Sequence, residues 1–131
     1  MKIALVQMDV AHGKPVENKK HVKEMLERAL SEKPDVIVLP EMWNTGYALD
    51  ELDGLADKEG LNSQELLSHF ARKHAVAIIG GSVAIEKDGK FYNTTYVYNK
   101  SGDLINTYSK VHLFGLMAED QYMSAGSSES V

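Results

Sequence analysis

The chain has 131 residues, of which 44% are hydrophobic and 25% charged, and its net charge at pH 7 is -5. These values are typical of one globular domain and exclude a largely disordered chain, and the negative charge argues against a nucleic-acid surface, which needs a basic stripe. No apolar stretch approaches the ~20 residues that cross a bilayer, so we expect a protein that does not bind membranes. The chain has no cysteine, which excludes disulfides in it and indicates a cytoplasmic protein.

Strand and helix patterns alternate over the first third of the chain. Residues 3–8 form an apolar run of strand length, and after Gly13 and Pro15 the apolar residues recur at helical spacing over 16–30,. Residues 36–39 are continuously apolar and rich in β-branched side chains, which is typical of a strand covered on both faces,. A strand, a helix and a strand in this order predict a right-handed parallel crossover.

The middle of the chain contains a long segment without regular periodicity. Residues 44–61 carry several glycines and acids. Structureless loops of this length are uncommon in small domains, so this segment is either a functional loop or contains regular elements that its pattern does not show. Asn62 or Ser63 can then cap a second helix. The residues expected on its buried face are Leu66, Leu67, Phe70 and Ala71.

Three strands are predicted in the last third of the chain. Residues 75–85 read as a strand with a bend or bulge at Gly80 and Gly81,. The Asp-Gly pair at 88–89 predicts a hairpin whose return strand covers 91–99, and the Ser-Gly pair at 101–102 leads into a strand over 103–109,. The predicted order is β-α-β-α-β-β-β, an α/β fold with two crossovers followed by an antiparallel meander.

Two charged residues lie at the carboxyl ends of predicted strands. Glu41 follows the strand over 36–39 after one proline, and Lys110 directly follows the strand over 103–109. Ligands of open α/β sheets bind beyond the carboxyl ends of the strands, so both side chains can meet at one rim. A carboxylate and an ammonium there suit base catalysis and oxyanion stabilisation. The alternatives are a structural salt bridge or two solvated loop charges.

Other side chains are weaker candidates for this rim. His112 follows Lys110 closely and either lines the site or bonds to backbone, while Trp43 and Tyr47 either wall a pocket or belong to the core,. The five histidines have no spacing suited to a metal, so we expect no metal and no cofactor,.

Several motifs in one order resemble the nitrilase superfamily of carbon–nitrogen hydrolases. The segments are MKIALVQMDV, VIVLPEMWNTGY, FYNTTYVYNKSGDLINTYSK, the following VHLFGLMAED, and YMSAG. Within the superfamily, NTGY and HLFGLM are most similar to the ω-amidase-type branch, which acts on small amides of dicarboxylic acids. The resemblance implies an αββα four-layer sandwich, a nitrilase-type fold, and enzymatic cleavage of a small linear amide with no cofactor.

The resemblance also implies roles for three residues. Glu41 corresponds to the general base that accepts a proton from a cysteine thiol, and Lys110 to the group that stabilises the oxyanion and donates a proton. Glu119, seven positions before Gly126, corresponds to a second, supporting glutamate. These residues suit the reaction, because a deprotonated thiol is a good nucleophile and a fixed cation meets the charge that develops on the amide oxygen.

The chain departs from the superfamily pattern in lacking a cysteine. Superfamily members are roughly twice this length, so we expect residues 1–131 to be a partial carbon–nitrogen hydrolase domain, the N-terminal half, with the nucleophile on a strand beyond them. The chain alone should then be inactive, and the full-length protein should be a homo-oligomer. The alternative is a catalytically inactive half-domain that serves as an interaction or binding module.

Overall fold

Seven strands form one mixed sheet in the computed structural model, which describes residues 1–127. The strands are β1 (Ile3–Leu5), β2 (Val36–Val38), β3 (Asp57–Lys58), β4 (Ala77–Ile79), β5 (Val83–Lys87), β6 (Lys90–Tyr98) and β7 (Leu104–Ser109). Their order is β1-β2-β4-β6-β5-β3, and β7 pairs with the opposite edge of β6. The strands β4 and β5 therefore occupy the same edge of β6, one after the other.

The helices connect the parallel part of this sheet. Strands β1, β2 and β4 pair in parallel, with α1 (Pro15–Leu30) between the first two and α3 (Leu61–His74) before the third. Strands β5, β6 and β7 are antiparallel. Two further helices are one turn each, α2 (Leu52–Leu55) and α4 (Glu119–Tyr122). The predicted crossovers and meander are confirmed, and none of the helices in residues 1–127 is long and apolar enough to cross a bilayer.

The main core lies between the sheet and the two long helices. Its centre is built from fully or nearly fully buried side chains of α1, α3 and the central strands: Val22, Leu26, Leu67, Phe70, Ile37, Ile78, Tyr96 and Tyr98. Each fully buried aliphatic side chain contributes about 1.5–3 kcal/mol by removal from water. Because both crossovers run in the same direction along the sheet, both helices lie on this one face.

The opposite face of the sheet stays largely uncovered at the β1–β2–β4 end. Ile3, Leu5 and Ile79 are 49%, 74% and 40% exposed. On β2, Ile37 is buried but Val36 and Val38 are only partly so. The expectation that this strand is covered on both faces is therefore wrong for the described residues, because α1 and α3 share a face.

A break between β4 and β5 sets the path of the sheet. Gly81 has φ of 58°, and a Cβ at this position would overlap the carbonyl oxygens of Leu39 and Pro40. The close approach is fixed by a hydrogen bond from the Ser82 N–H to the Pro40 carbonyl, 3.1 Å long. The predicted bend is confirmed, and it divides the single strand expected over 75–85 into two.

The segment over 44–61 contains regular elements, which is the second of the two alternatives given above. It contains a 3-10 turn at Leu49–Glu51, then α2 and the short strand β3. Helix α3 begins at Leu61, and neither of the predicted residues caps it. The Asp57 carboxylate instead accepts the N–H groups of Asn62 and Ser63, at 3.2 and 2.7 Å. Gly60 occupies the N-cap position but has no side chain that could accept these hydrogen bonds. Its left-handed conformation turns the chain so that the Asp57 carboxylate lies over the first turn of α3,.

Candidate active site

Glu41 lies in a turn that several buried hydrogen bonds hold in place. The N–H of Met42 donates to Oγ of Ser82 at 3.0 Å, and the Trp43 N–H donates to the Ser82 carbonyl at 3.1 Å. The indole N–H of Trp43 donates to the Gly80 carbonyl at 2.9 Å, and this side chain is 1% exposed. Trp43 therefore belongs to the core and anchors the turn. The glycine bend and the turn after β2 thus form one rigid unit.

The structure brings together all three residues singled out from the sequence. The Lys110 ammonium lies between two carboxylates, with its Nζ 3.1 Å from Oε1 of Glu41 and 2.9 Å from Oε2 of Glu119. The Glu119 side chain is fully buried, whereas those of Lys110 and Glu41 are 28% and 47% exposed. Glu41 and Lys110 are thus accessible to a small molecule, and Glu119 lies behind them.

Sequence analysis missed a fourth member of this cluster, Asn93 on β6. Its Nδ2 donates to Oε1 of Glu41 and to Oε1 of Glu119, each at 2.9 Å. A signal was present in the strand's alternation. The aromatic Tyr96 and Tyr98 face the helices, so odd-numbered polar residues such as Asn93 had to face the other side.

Electrostatic coupling stabilises the charged forms in this cluster. Burial lowers the pKa of Lys110, but the hydrogen bonds to Glu119 and Glu41, together with the charges of these carboxylates, outweigh burial and hold the pKa above its ordinary value. Burial likewise raises the pKa of Glu119, but hydrogen bonds from Asn93, the Phe114 N–H and Lys110 hold it below its ordinary value. The ammonium and the buried carboxylate therefore both remain charged around neutral pH.

Tyr47 also contacts the cluster; sequence analysis left open whether it walls a pocket or belongs to the core. Burial raises the pKa of its phenol to about 12, and the charge of Glu41 and a hydrogen bond to that carboxylate act in the same direction. The phenol therefore stays protonated and serves as a donor to Glu41. Tyr47 also packs against a second, smaller apolar cluster that contains Met42 and Met123.

A pocket of about 220 Å³ opens beside the cluster. Its lining residues are Glu41, Gly81, Ser82, Asn93, Thr95, Tyr108 and Lys110. His112 is exposed and does not line this pocket. Within residues 1–127, no group of three or more histidine, cysteine, aspartate or glutamate side chains is placed to hold a metal ion. The ammonium of Lys110 occupies the position between the carboxylates, so the pocket presents one carboxylate and one ammonium to a small molecule.

The loop after β7 closes over the buried glutamate. The Phe114 N–H donates to Oε2 of Glu119 at 2.8 Å, and the Glu119 N–H donates back to the Phe114 carbonyl at 3.3 Å. Downstream, the Ser124 N–H donates to the Phe91 carbonyl at 2.7 Å, which returns the chain to β6. The buried carboxylate thus fixes this loop as well as the ammonium.

Comparisons with known proteins identify the family. Residues 2–131 match the carbon–nitrogen hydrolase family model. The chain is similar to the 2-oxoglutaramate amidase of Bacillus subtilis, with 47% identity over 127 residues, covering 97% of this chain and 49% of that protein. It is also similar to an omega-amidase of Saccharomyces cerevisiae, with 34% identity over 122 residues, covering 87% of this chain and 42% of that protein.

Solved structures give the same result for the fold. A Saccharomyces cerevisiae member of the nitrilase superfamily superposes with a TM-score of 0.85 at 29% identity, covering 99% of this chain and 50% of that one. A Xanthomonas campestris protein of the carbon–nitrogen hydrolase superfamily superposes with the same TM-score at 26% identity, covering 97% and 46%. The resemblance and the nitrilase-type fold are confirmed, and the chain spans about half the length of these relatives.

Proposed function

The chain belongs to the carbon–nitrogen hydrolase family, and from this we propose that the protein containing it hydrolyses the carbon–nitrogen bond of a small linear amide. The observation that supports this most directly is the Lys110 ammonium, which lies between two carboxylates at the wall of a small pocket. Glu41 shares that wall and is half exposed, so a substrate can reach a base and a cation at once.

The proposed nucleophile is a cysteine thiol from a part of the protein outside these 131 residues, which contain none. Glu41 accepts the thiol proton, and the sulfur attacks the amide carbonyl carbon. The carbon–nitrogen bond then breaks, the amine leaves as ammonia with the proton returned from the glutamate, and a thioester remains. Water, deprotonated by the same carboxylate, attacks the thioester and releases a carboxylic acid and the thiol.

Lys110 supplies the fixed positive charge in this scheme. Two of its three N–H groups donate to carboxylates, and the ammonium borders the pocket. The remaining N–H is therefore the one that meets the oxygen of the tetrahedral intermediate, which carries the developing negative charge. Fixed donors of this kind act without reorganisation during the reaction.

The substrate class that we propose is an ω-amide of a dicarboxylic acid, such as 2-oxoglutaramate. The similarity to the Bacillus subtilis amidase named for that compound supports this choice. An N-carbamoyl compound and other linear amides are the competing substrates.

The test follows ammonia release by the full-length protein from 2-oxoglutaramate, an N-carbamoyl amino acid and a simple linear amide. Glu41→Gln keeps the shape of the side chain but removes the base, and Lys110→Ala removes the cation. We expect Lys110→Ala to lower kcat roughly a hundredfold to a thousandfold, as loss of single oxyanion donors does. Glu41→Gln should abolish turnover to a comparable or greater extent.

Matched controls are available on the exposed face of α1. Glu24→Gln and Lys23→Ala make the same chemical changes at exposed positions far from the pocket and should leave kcat unchanged. If a site variant kept near-normal turnover, the role assigned to that residue would be wrong. If turnover fell only in proportion to lost folded protein, the structural salt bridge would be the better reading. A parent protein that binds a partner but hydrolyses no amide would favour the interaction-module alternative.

A further inference from the structure

The four polar side chains of the site form a closed ring of hydrogen bonds. Lys110 joins the two glutamates on one side, at 3.1 and 2.9 Å. Asn93 joins the same two glutamates on the other side, at 2.9 Å each. Within the ring, each carboxylate therefore has two donors, one charged and one neutral.

The orientation of the Asn93 amide follows from chemistry. Both neighbours are carboxylates, which only accept hydrogen bonds when ionised, so the amide must turn its NH₂ group towards them. The two hydrogens of that nitrogen match the two acceptors in number. A glutamate or aspartate in place of Asn93 would have no hydrogen to donate, and a serine would have one.

Asn93 is the member of the ring that lies within a strand. It lies inside β6, where it pairs with Ala84 of β5, and its carbonyl accepts the Lys110 N–H at 2.8 Å. Its side chain is nearly fully buried. The two glutamates, by contrast, lie on a turn and on a single-turn helix. Sites supported by strands are more precise than sites supported by loops, so the amide is the fixed reference for both acids.

We propose that Asn93 is a positioning residue of this site, whose amide nitrogen fixes both carboxylates around the Lys110 ammonium. The inference rests on the proposed amide hydrolysis for its kinetic consequence. Without the Asn93 amide, the Glu41 carboxylate keeps its contacts to Lys110 and Tyr47. It can then adopt other rotamers, because its side chain is half exposed. A misplaced base lowers the rate of proton transfer while the pocket can still bind the substrate.

The test uses two variants of the full-length protein. Asn93→Asp preserves the shape, removes the donor and adds a third carboxylate to the ring, whereas Asn93→Ala removes the donor and adds no charge. Asn99→Asp is the matched control, because Asn99 lies in the turn between β6 and β7, beyond the far end of β6 from the site, and its amide also donates to a carboxylate, that of Asp103, at 3.0 Å. Asn99→Asp should leave the kcat of the folded protein unchanged.

Three measurements are expected to change in the Asn93 variants. The kcat should fall about 10- to 100-fold with KM changed less than about threefold, since misplacement of a reacting group costs on this scale. The difference in kcat between the parent and Asn93→Asp should become smaller at acidic pH, because a protonated aspartate can donate a hydrogen bond again. The Glu119 carboxyl, followed by ¹³C NMR and assigned by its loss in Glu119→Gln, should titrate at higher pH than in the parent.

The outcomes separate this inference from the proposed function. An active parent with unchanged kcat in both Asn93 variants, or with only KM raised, would overturn the positioning role and leave amide hydrolysis standing. A fall in kcat with an unchanged Glu119 titration would also overturn it, because the loss of activity would then have a cause other than displacement of the carboxylates. If the parent hydrolysed no amide, the proposed function would fail, and the NMR titration alone would decide whether Asn93 holds the carboxylates.

Discussion

Replacing Glu119 with glutamine tests the buried half of the site directly. The carboxylate is fully buried and accepts hydrogen bonds from Lys110, the Phe114 N–H and Asn93, at 2.9, 2.8 and 2.9 Å. A glutamine has one oxygen and one NH₂ group in the same space. Its oxygen can serve Lys110 and Phe114, but its NH₂ group must then face the NH₂ group of Asn93.

The loss of stability follows from these contacts. A buried donor left without an acceptor costs about 1–3 kcal/mol, and a charged hydrogen bond replaced by a neutral one costs about 1 kcal/mol more. We expect Glu119→Gln to lower the free energy of unfolding of the full-length protein by roughly 2–4 kcal/mol. A glutamate at an exposed position loses at most about 0.5 kcal/mol on the same change.

The assay is urea unfolding of the parent, Glu119→Gln and the exposed control Glu24→Gln, repeated from pH 7 to pH 3. The pKa of Glu119 lies below its ordinary value of 4.5 in the folded protein. Its contribution is therefore fully present above about pH 4.5 and is lost as the pH falls through the lower, folded value. The stability gap between parent and variant should shrink over that range. A gap below about 1 kcal/mol at pH 7, or one that does not depend on pH, would refute the reasoning.

Three further changes have defined expected outcomes. Gly81→Ala should lower the free energy of unfolding by at least about 2 kcal/mol and reduce kcat, because the added Cβ displaces the turn that holds Glu41; a variant as stable as the parent would contradict the close approach. Asp57→Ala should cost about 0.5–2 kcal/mol by removing the acceptor at the start of α3, with kcat unchanged; equal urea midpoints would contradict this. The isolated 131-residue chain should self-associate through the face that exposes Ile3, Leu5 and Ile79,; light scattering that showed a stable monomer with a cooperative melt would be evidence against it.

The order of elements and the meeting of Glu41 with Lys110 were predictable from the sequence. Helical and strand periods are local, so they survive in a single sequence. The two charged residues follow β2 and β7, and two antiparallel reversals, β4 to β6 and β6 to β7, return the last strand to the direction of β2. Both strands therefore end at one rim, whatever the details of packing.

The parts that sequence analysis missed depend on contacts between distant segments. Asn93 acts from inside a strand, and no local spacing pairs it with glutamates 52 and 26 positions away. The cap of α3 comes from Asp57, which lies on a two-residue strand. This strand pairs with β5 in parallel, and no turn motif in the sequence predicts that pairing. In each case a side chain reaches across the fold, and the local pattern could not show which segment it would meet.

The hydrogen bond between Phe114 and Glu119 gives the site a reporter that needs no substrate. The Phe114 N–H donates to Oε2 of Glu119, the oxygen that also accepts from Lys110. A fluctuation that exposes this N–H to deuterium exchange must separate the loop from the carboxylate, which then loses one of its three donors. The protection factor of this backbone amide therefore measures the free energy that keeps the loop closed over Glu119. Occupancy of the pocket that strengthened the Lys110 contacts would slow exchange at a residue that does not line it.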